Sequence, residues 1–451
     1  MRVTRRDLLR GVGKAAGAVL LFGGAVHASH KKKSRARAKS RARVVDTAPL
    51  SGSKMYEDLI AYYNLGEHRT ATEVDRRTSQ WMVEQLRGAG VRAVMQPFSL
   101  RQFFPRRTHL SIADRSIRSF PLWFPRSTGS QPITSELMAW DKNSGPASIK
   151  GKLAFVRFPA EAGAAMVKGS IHSQLVLSAA SAGAAGVVAL TESTTREIVA
   201  LNCPAGSEPW PIPVVLVGSR DEQSLIAAMS SSAKISLDLE GEDVAAAEAR
   251  NVIGRVDRGK DLIVVSTPQS GWFRCAGERG PGIGLFLNLA RWANRRPSGS
   301  SFLFVSSSGH ELGALGMSAF LKELAPARER VLCWIHLGAG IATYTWEDSG
   351  DGLKRTDAVD PKRYLMTTAD LVPMLTTAFA GCPGLTPGVG RAVGEYELIL
   401  KAGYRAYGIA AAHRFHHTPA DSPETTGPEI LEPVGRALVA SVESLERPGK
   451  V

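Results

Sequence analysis

The stretch Ser301–Met317, SFLFVSSSGHELGALGM, constrains this chain more than any other. Phe302, Leu303, Phe304 and Val305 form a short apolar run, the composition of a strand buried on both faces. Three serines, Gly309, His310 and Glu311 follow, then a glycine-punctuated turn into the helical segment SAFLKEL. Open α/β sheets gather their chemistry where buried parallel strands end. His310 and Glu311 are therefore the first candidate functional residues.

The net charge of +14 suggests a nucleic-acid binder until it is located. Lys31, Lys32, Lys33, Arg35, Arg37, Lys39, Arg41 and Arg43 crowd into one short segment, and Arg2, Arg5, Arg6, Arg10 and Lys14 precede it. The chain after Arg43 is nearly neutral, so a nucleic-acid partner is not expected. Residues 29–50 read as a basic, disordered linker. Its second reading is a tether to an anionic envelope surface through residues 31–43, which salt would weaken.

Ahead of it, Thr4-Arg5-Arg6-Asp7-Leu8-Leu9 and the Gly/Ala-rich apolar stretch Gly11–Ala25 form a twin-arginine export signal. Val26-His27-Ala28 supplies small residues before a cleavage site after Ala28. The run is too short and glycine-rich for a membrane anchor and carries Lys14. A periplasmic or extracellular protein is expected, with no transmembrane segment in the mature chain. Cys203, Cys275, Cys333 and Cys382 are widely spaced and form no Cys-x-x-Cys, which argues against a structural zinc site. Their pairing, if any, stays open.

From Ser53 the chain reads as folded. Thr70-Ala71-Thr72-Glu73 has capping-box spacing, and Val74, Trp81, Met82 and Leu86 share a helical face before Gly88 and Gly90. VRAVMQPFSL then alternates as a strand. Between Ser127 and Glu240 lies a separate module with strands at Gly151–Val156, Gly186–Leu190 and Ile212–Val217 and an Ala/Ser-rich helix at Ser173–Ala182.

The Ser301–Met317 pattern of strand, paired polar residues, Leu-Gly and a second Gly resembles the co-catalytic zinc aminopeptidases. That family includes glutamate carboxypeptidase and the non-catalytic transferrin receptor ectodomain. EHRTATEVDRRTSQWMVEQLRGAGVRAVMQPF is similar to the family's opening helix and strand, and Ala249–Gly254 returns to its pattern. The resemblance covers nearly everything after residue 50. It implies a three-layer α/β/α domain with a mixed, mostly parallel sheet, formed by residues 51–126 and 241–451. It also implies a smaller, β-rich protease-associated domain inserted at 127–240.

The same resemblance marks where metal ligands should stand, and this chain departs from most of them. The first His position falls on Pro268, which has no lone pair to give. The bridging Asp falls on Gly277, with Glu278 beside it. The general base falls on His310, and the next ligand is retained as Glu311. The Asp that should end the strand Val331–Leu337 falls on Gly338, although His336 projects from the same face two residues earlier. The last ligand matches His417 in His416-His417-Thr418-Pro419-Ala420-Asp421, and His413 and His416 read as surface-loop histidines.

Two retained ligands do not hold two zinc ions. The leading expectation is thus an exported, non-catalytic homologue that binds a peptide or protein in its cleft and carries no metal. The alternative is an active peptidase or amidase with one zinc ion on Glu311, His336 and His417, and His310 or Glu278 as base. A metal-free reaction of His310 with one of Ser306–Ser308 ranks last, because no Gly-x-Ser-x-Gly elbow is present.

Overall fold

The computed structural model describes residues 50–141, 149–159, 169–350 and 352–447. The residues expected to form the export signal and, but for Leu50, the basic linker lie outside the described residues. No described helix is long and apolar enough to cross a membrane.

The strand expected at Phe302–Val305 runs over Ser301–Ser307, and every residue in it is buried. It lies parallel to Leu262–Pro268, which is followed in order by Val331–Leu337 and Ala406–Ala411, also parallel. Arg363–Thr367 flanks this block antiparallel on one side and the end of Lys234–Val256 does so on the other. The result is a mixed, mostly parallel sheet.

Helices cover both faces. One apolar cluster joins the sheet to Met55 and Tyr62, Met82 and Leu86, Phe286 and Leu289, and Leu438 and Val442. These belong to helices Gly52–Asn64, Glu73–Gly88, Gly280–Arg295 and Pro428–Leu445. The opposite cluster uses Met317 and Phe320 of helix Leu315–Glu323 and Tyr396 and Ile399 of Glu395–Lys401. Three layers follow, because strands apolar on both faces must be covered twice.

The capping box sits two residues later than its spacing suggested. Thr72 is the N-cap and accepts from Asp75 N–H, and the Asp75 carboxylate returns to the Ala71 N–H at 2.8 Å. The Thr70 hydroxyl is buried and makes no hydrogen bond among the described residues.

Arg92–Ile112 and Lys234–Val256 pair antiparallel over most of their length and form a long ribbon that leaves the main sheet. The outer end of this ribbon carries Ile133–Ala139, Leu153–Phe158, Gly186–Thr191 and Val214–Gly218 as a continuing, mainly parallel sheet. Helices Ile171–Ser181 and Glu222–Ser230 accompany it, so this module is α/β in make-up as well as strand-rich.

Candidate functional site

Because the four parallel strands are in register, the loops after Pro268, Ser307, Leu337 and Ala411 open at the same sheet edge. Ser270 binds two of them together. Its hydroxyl donates to Glu311 Oε2 at 2.8 Å and accepts from the Gly309 and His310 N–H groups at 3.0 and 3.2 Å.

The centre of this edge is held by a guanidinium. Arg279 is 1 % exposed, donates from Nε to the Ser270 carbonyl at 2.8 Å and from a terminal nitrogen to Glu311 Oε1 at 2.6 Å. The same nitrogen lies 3.0 Å from Glu278 Oε1. Burial alone would lower the Arg279 pKa, but Glu278 and Glu311 raise it and keep the group charged. Burial likewise opposes the Glu278 charge, which the Arg279 guanidinium more than restores. Arg279 immediately precedes the buried helix Gly280–Arg295, where the backbone dipole is unfavourable to a cation, so the site depends on its two carboxylates.

The positions expected to have lost ligands are not open space. A Cβ on Gly277 would lie 2.4 Å from Thr425 Oγ1 and 3.0 Å from Asp421 Oδ1; one on Gly338 would lie 2.9 Å from the Ile409 carbonyl. Asp421 anchors this turn: it accepts from the Gly277 and Glu278 N–H groups at 2.7 and 2.9 Å and from Thr425 Oγ1 at 3.0 Å.

His417 is buried in a left-handed conformation, with φ 59°. Its Nδ1 lies 2.9 Å from the Ala200 carbonyl, and its own carbonyl accepts from the Ala200 N–H. A carbonyl only accepts, so Nδ1 carries the hydrogen and Nε2 keeps a lone pair, 3.5 Å from Glu278 Oε1. The same inserted loop gives the Cys203 N–H to the Glu311 carbonyl and the Ala205 N–H to that of Leu312. The insert is thus stitched to the backbones of both retained family positions.

His416 stacks on His417 with ring centroids 4.1 Å apart. It is half-buried, and His413 is buried with Nε2 3.6 Å from Asp421 Oδ2, so neither is a surface-loop residue as their sequence context suggested. Burial pushes the pKa of His416 well down and that of His417 down, leaving neutral imidazoles with free lone pairs.

The remaining expected residues lie apart from this group. His336 is buried, bonded to Ser266 Oγ at 2.9 Å, and lowered to about 4 by burial. His310 holds Glu395 Oε1 at 3.3 Å through Nδ1. Ser306, Ser307 and Ser308 donate to Gln269, Glu395 and Asp75. None of these serine bonds goes to His310. Among the described residues, Glu278, His416 and His417 are the ones whose ligand atoms lie within 4.8 Å of one another in a group able to hold a metal ion. That set differs from Glu311, His336 and His417, because Ser270 and Arg279 occupy Glu311 and Ser266 occupies His336. All four cysteines are buried and unpaired.

Asp75, beneath Ser308, is buried and pushed up to about 7, with burial the dominant cause. A carboxyl whose folded pKa lies above its ordinary 3.8 favours the fold below pH 4 and loses that contribution as pH rises through 7. Asp75→Asn should therefore flatten the fall in stability between pH 4.5 and 8, by about 3 kcal/mol, in denaturant titrations of both proteins. Parallel pH curves for the two would contradict this.

A cavity of about 450 Å³ lies beside this centre and is lined by His413 and His416. Phe158, Leu201 and Trp346 form apolar walls, and Arg414 lies among the lining residues.

No family model matches the chain, and no curated protein does. Solved structures do. A zinc aminopeptidase from Bacillus subtilis superposes with a TM-score of 0.71 at 19 % identity, covering 89 % of this chain and 97 % of that one. A peptidase M28 precursor from Shewanella amazonensis gives 0.69 at 18 % identity, covering 90 % and 96 %. The fold is that of the zinc exopeptidases. An aminopeptidase from Aneurinibacillus, at 16 % identity and a TM-score of 0.56, covers 89 % and 96 %. The zinc-exopeptidase fold therefore spans the main sheet and the inserted module together.

The donors present do not fit the zinc pair that this fold carries in its co-catalytic members. Pro268, Gly277 and Gly338 offer no side-chain donor, the glycine positions are packed shut, and a permanent cation already neutralises Glu311.

Proposed function

We propose that this protein is an exported, non-catalytic member of the zinc-exopeptidase fold that binds a peptide or a protein segment in its cleft. The observation that carries the proposal is Arg279, which stands charged and buried against Glu311, the retained carboxylate that a pair of catalytic ions would need free. A guanidinium supplies positive charge and directed donors but has no exchangeable position for water, so it balances the carboxylates without activating a nucleophile. The cavity beside His413 and His416 keeps an apolar and aromatic lining suited to side chains of an extended ligand.

Export by the twin-arginine route places the mature chain in the periplasm or outside the cell. Residues 31–43 then supply a salt-sensitive attachment to anionic envelope polymers. The inserted module, which we take to be a protease-associated domain, closes over Glu311 and His417 and contributes Phe158, Val199 and Leu201 to the cavity wall.

Purified, untagged protein supplied with zinc or cobalt should release product from aminoacyl and peptide substrates no faster than a buffer control. Equilibrium binding should detect peptides on the same sample. Metal-dependent turnover lost in His417→Ala would overturn the reading in favour of a hydrolase working on one ion.

A further inference from the structure

Three acceptor atoms behind the cavity wall at His416 lack what their neighbours have. Asp421 receives three donors, and Glu311 receives Ser270 and Arg279. Glu278 Oε1 makes no hydrogen bond among the described residues, although it is buried, and the same holds for His416 Nδ1. His417 Nε2 turns its lone pair toward Glu278 Oε1, because the Ala200 carbonyl fixes the hydrogen on the opposite nitrogen. These two acceptors face each other, and the Arg279 guanidinium 3.0 Å from Glu278 Oε1 makes its hydrogen bonds to Ser270 and Glu311, so no donor among the described residues lies between them.

Charge balance points the same way. Glu278, Glu311 and Asp421 are buried together, and Arg279 is the one guanidinium among them; it spends its closest contact on Glu311. A proton on His417 would relieve one contact but would leave His416 Nδ1 unsatisfied. A dication relieves all three.

We propose that Glu278, His416 and His417 bind one divalent transition-metal ion of the zinc or cobalt type, with its open position facing the cavity. Two ligand atoms on a tetrahedral ion at ~2.0–2.2 Å lie roughly 3.3–3.6 Å apart. The 3.5 Å between Glu278 Oε1 and His417 Nε2 falls in that range. One carboxylate and two imidazoles match this class of metal better than magnesium or calcium, which prefer all-oxygen shells. The Ala200 carbonyl supplies the outer hydrogen bond that orients a ligating histidine. His416 belongs both to the trio and to the cavity wall, so a bound ion would meet an amine or carboxylate of the ligand there. The ion acts as an anchor, and the site is independent of whether any turnover occurs.

Chelator-stripped, tag-free protein should be titrated with cobalt(II) and read by visible ligand-field absorption and by metal analysis after gel filtration. The expected result is one cobalt per chain, displaced by zinc. His416→Ala and Glu278→Gln should each weaken binding by more than about 100-fold, at or beyond the cost of losing an outer-shell partner. His336→Ala, outside the trio, should bind as the parent does, and circular dichroism would verify that each variant is folded. If Glu278→Gln fails to fold, His416→Gln serves in its place. No cobalt uptake, or uptake unchanged in the folded His416 variants, would overturn the proposal. A bound ion without peptide hydrolysis supports this site and leaves the non-catalytic reading standing; absent metal refutes this site alone.

Discussion

Arg279→Met is expected to destabilise the protein by about 3–5 kcal/mol, the usual cost of removing one partner from a buried ion pair. Methionine fills much of the arginine volume but leaves Glu278 and Glu311 buried without a counter-charge, and it removes the donors to the Ser270 carbonyl and Glu311 Oε1. Denaturant unfolding would measure this, and adding Glu311→Gln to Arg279→Met should recover part of the loss by removing one orphaned charge. Removing the guanidinium also frees both carboxylates, so zinc should raise the melting temperature of Arg279→Met more than that of the parent. A variant as stable as the parent, and indifferent to zinc, would mean that the guanidinium does not hold the centre together.

Gly277→Asp tests whether the missing bridging carboxylate can simply be put back. It should not restore a dinuclear site, and it should cost more than about 2 kcal/mol. The new Cβ would fall within 2.4–3.0 Å of Thr425, His413 and Asp421, and its carboxylate would crowd the negative charge of Asp421. The backbone at Gly277 also donates to Asp421 Oδ1 at 2.7 Å, so the clash is with the group that now anchors this turn. Recovery of two zinc ions per chain together with aminopeptidase activity in Gly277→Asp would show that the centre had stayed receptive. The expected outcome is a lower unfolding midpoint and no added metal relative to the parent.

Much of the fold was legible because burial writes itself into composition. Phe302–Val305 and Leu262–Val265 are apolar at every position, which suits strands covered on both faces, and both lie at the centre of the sheet. The expected span Val331–Leu337 agrees with the strand observed. The capping site slipped by two residues because Thr70 and Thr72 both precede an acidic residue at suitable spacing. The choice between them depended on Asp75 reaching back to Ala71, a contact that spacing does not specify.

The site was legible by subtraction and not by construction. The resemblance placed family ligand positions on Pro268, Gly277 and Gly338, residue types that carry no side-chain donor. What took their place was not announced. Arg279 stood in plain view next to Glu278, flanked by Gly280 and Pro281, and a cation at the start of a buried helix was the available signal that anions must converge on it. His336 shares the face of a strand pointing toward the vacated region, yet Ser266 on the neighbouring strand meets its Nδ1 first.

The sequence by itself determined the buried strands and the tail-borne charge, since these depend on residue type and periodicity along the chain, and its resemblance to the zinc aminopeptidases implied the layered α/β architecture. Only the tertiary structure decided that Arg279 is shared between two carboxylates, that Asp421 closes the space at Gly277, and that Glu278, His416 and His417 meet. Those are contacts between loops far apart in sequence, and their geometry is set by the register of four parallel strands and by an inserted loop that fixes His417 through Ala200.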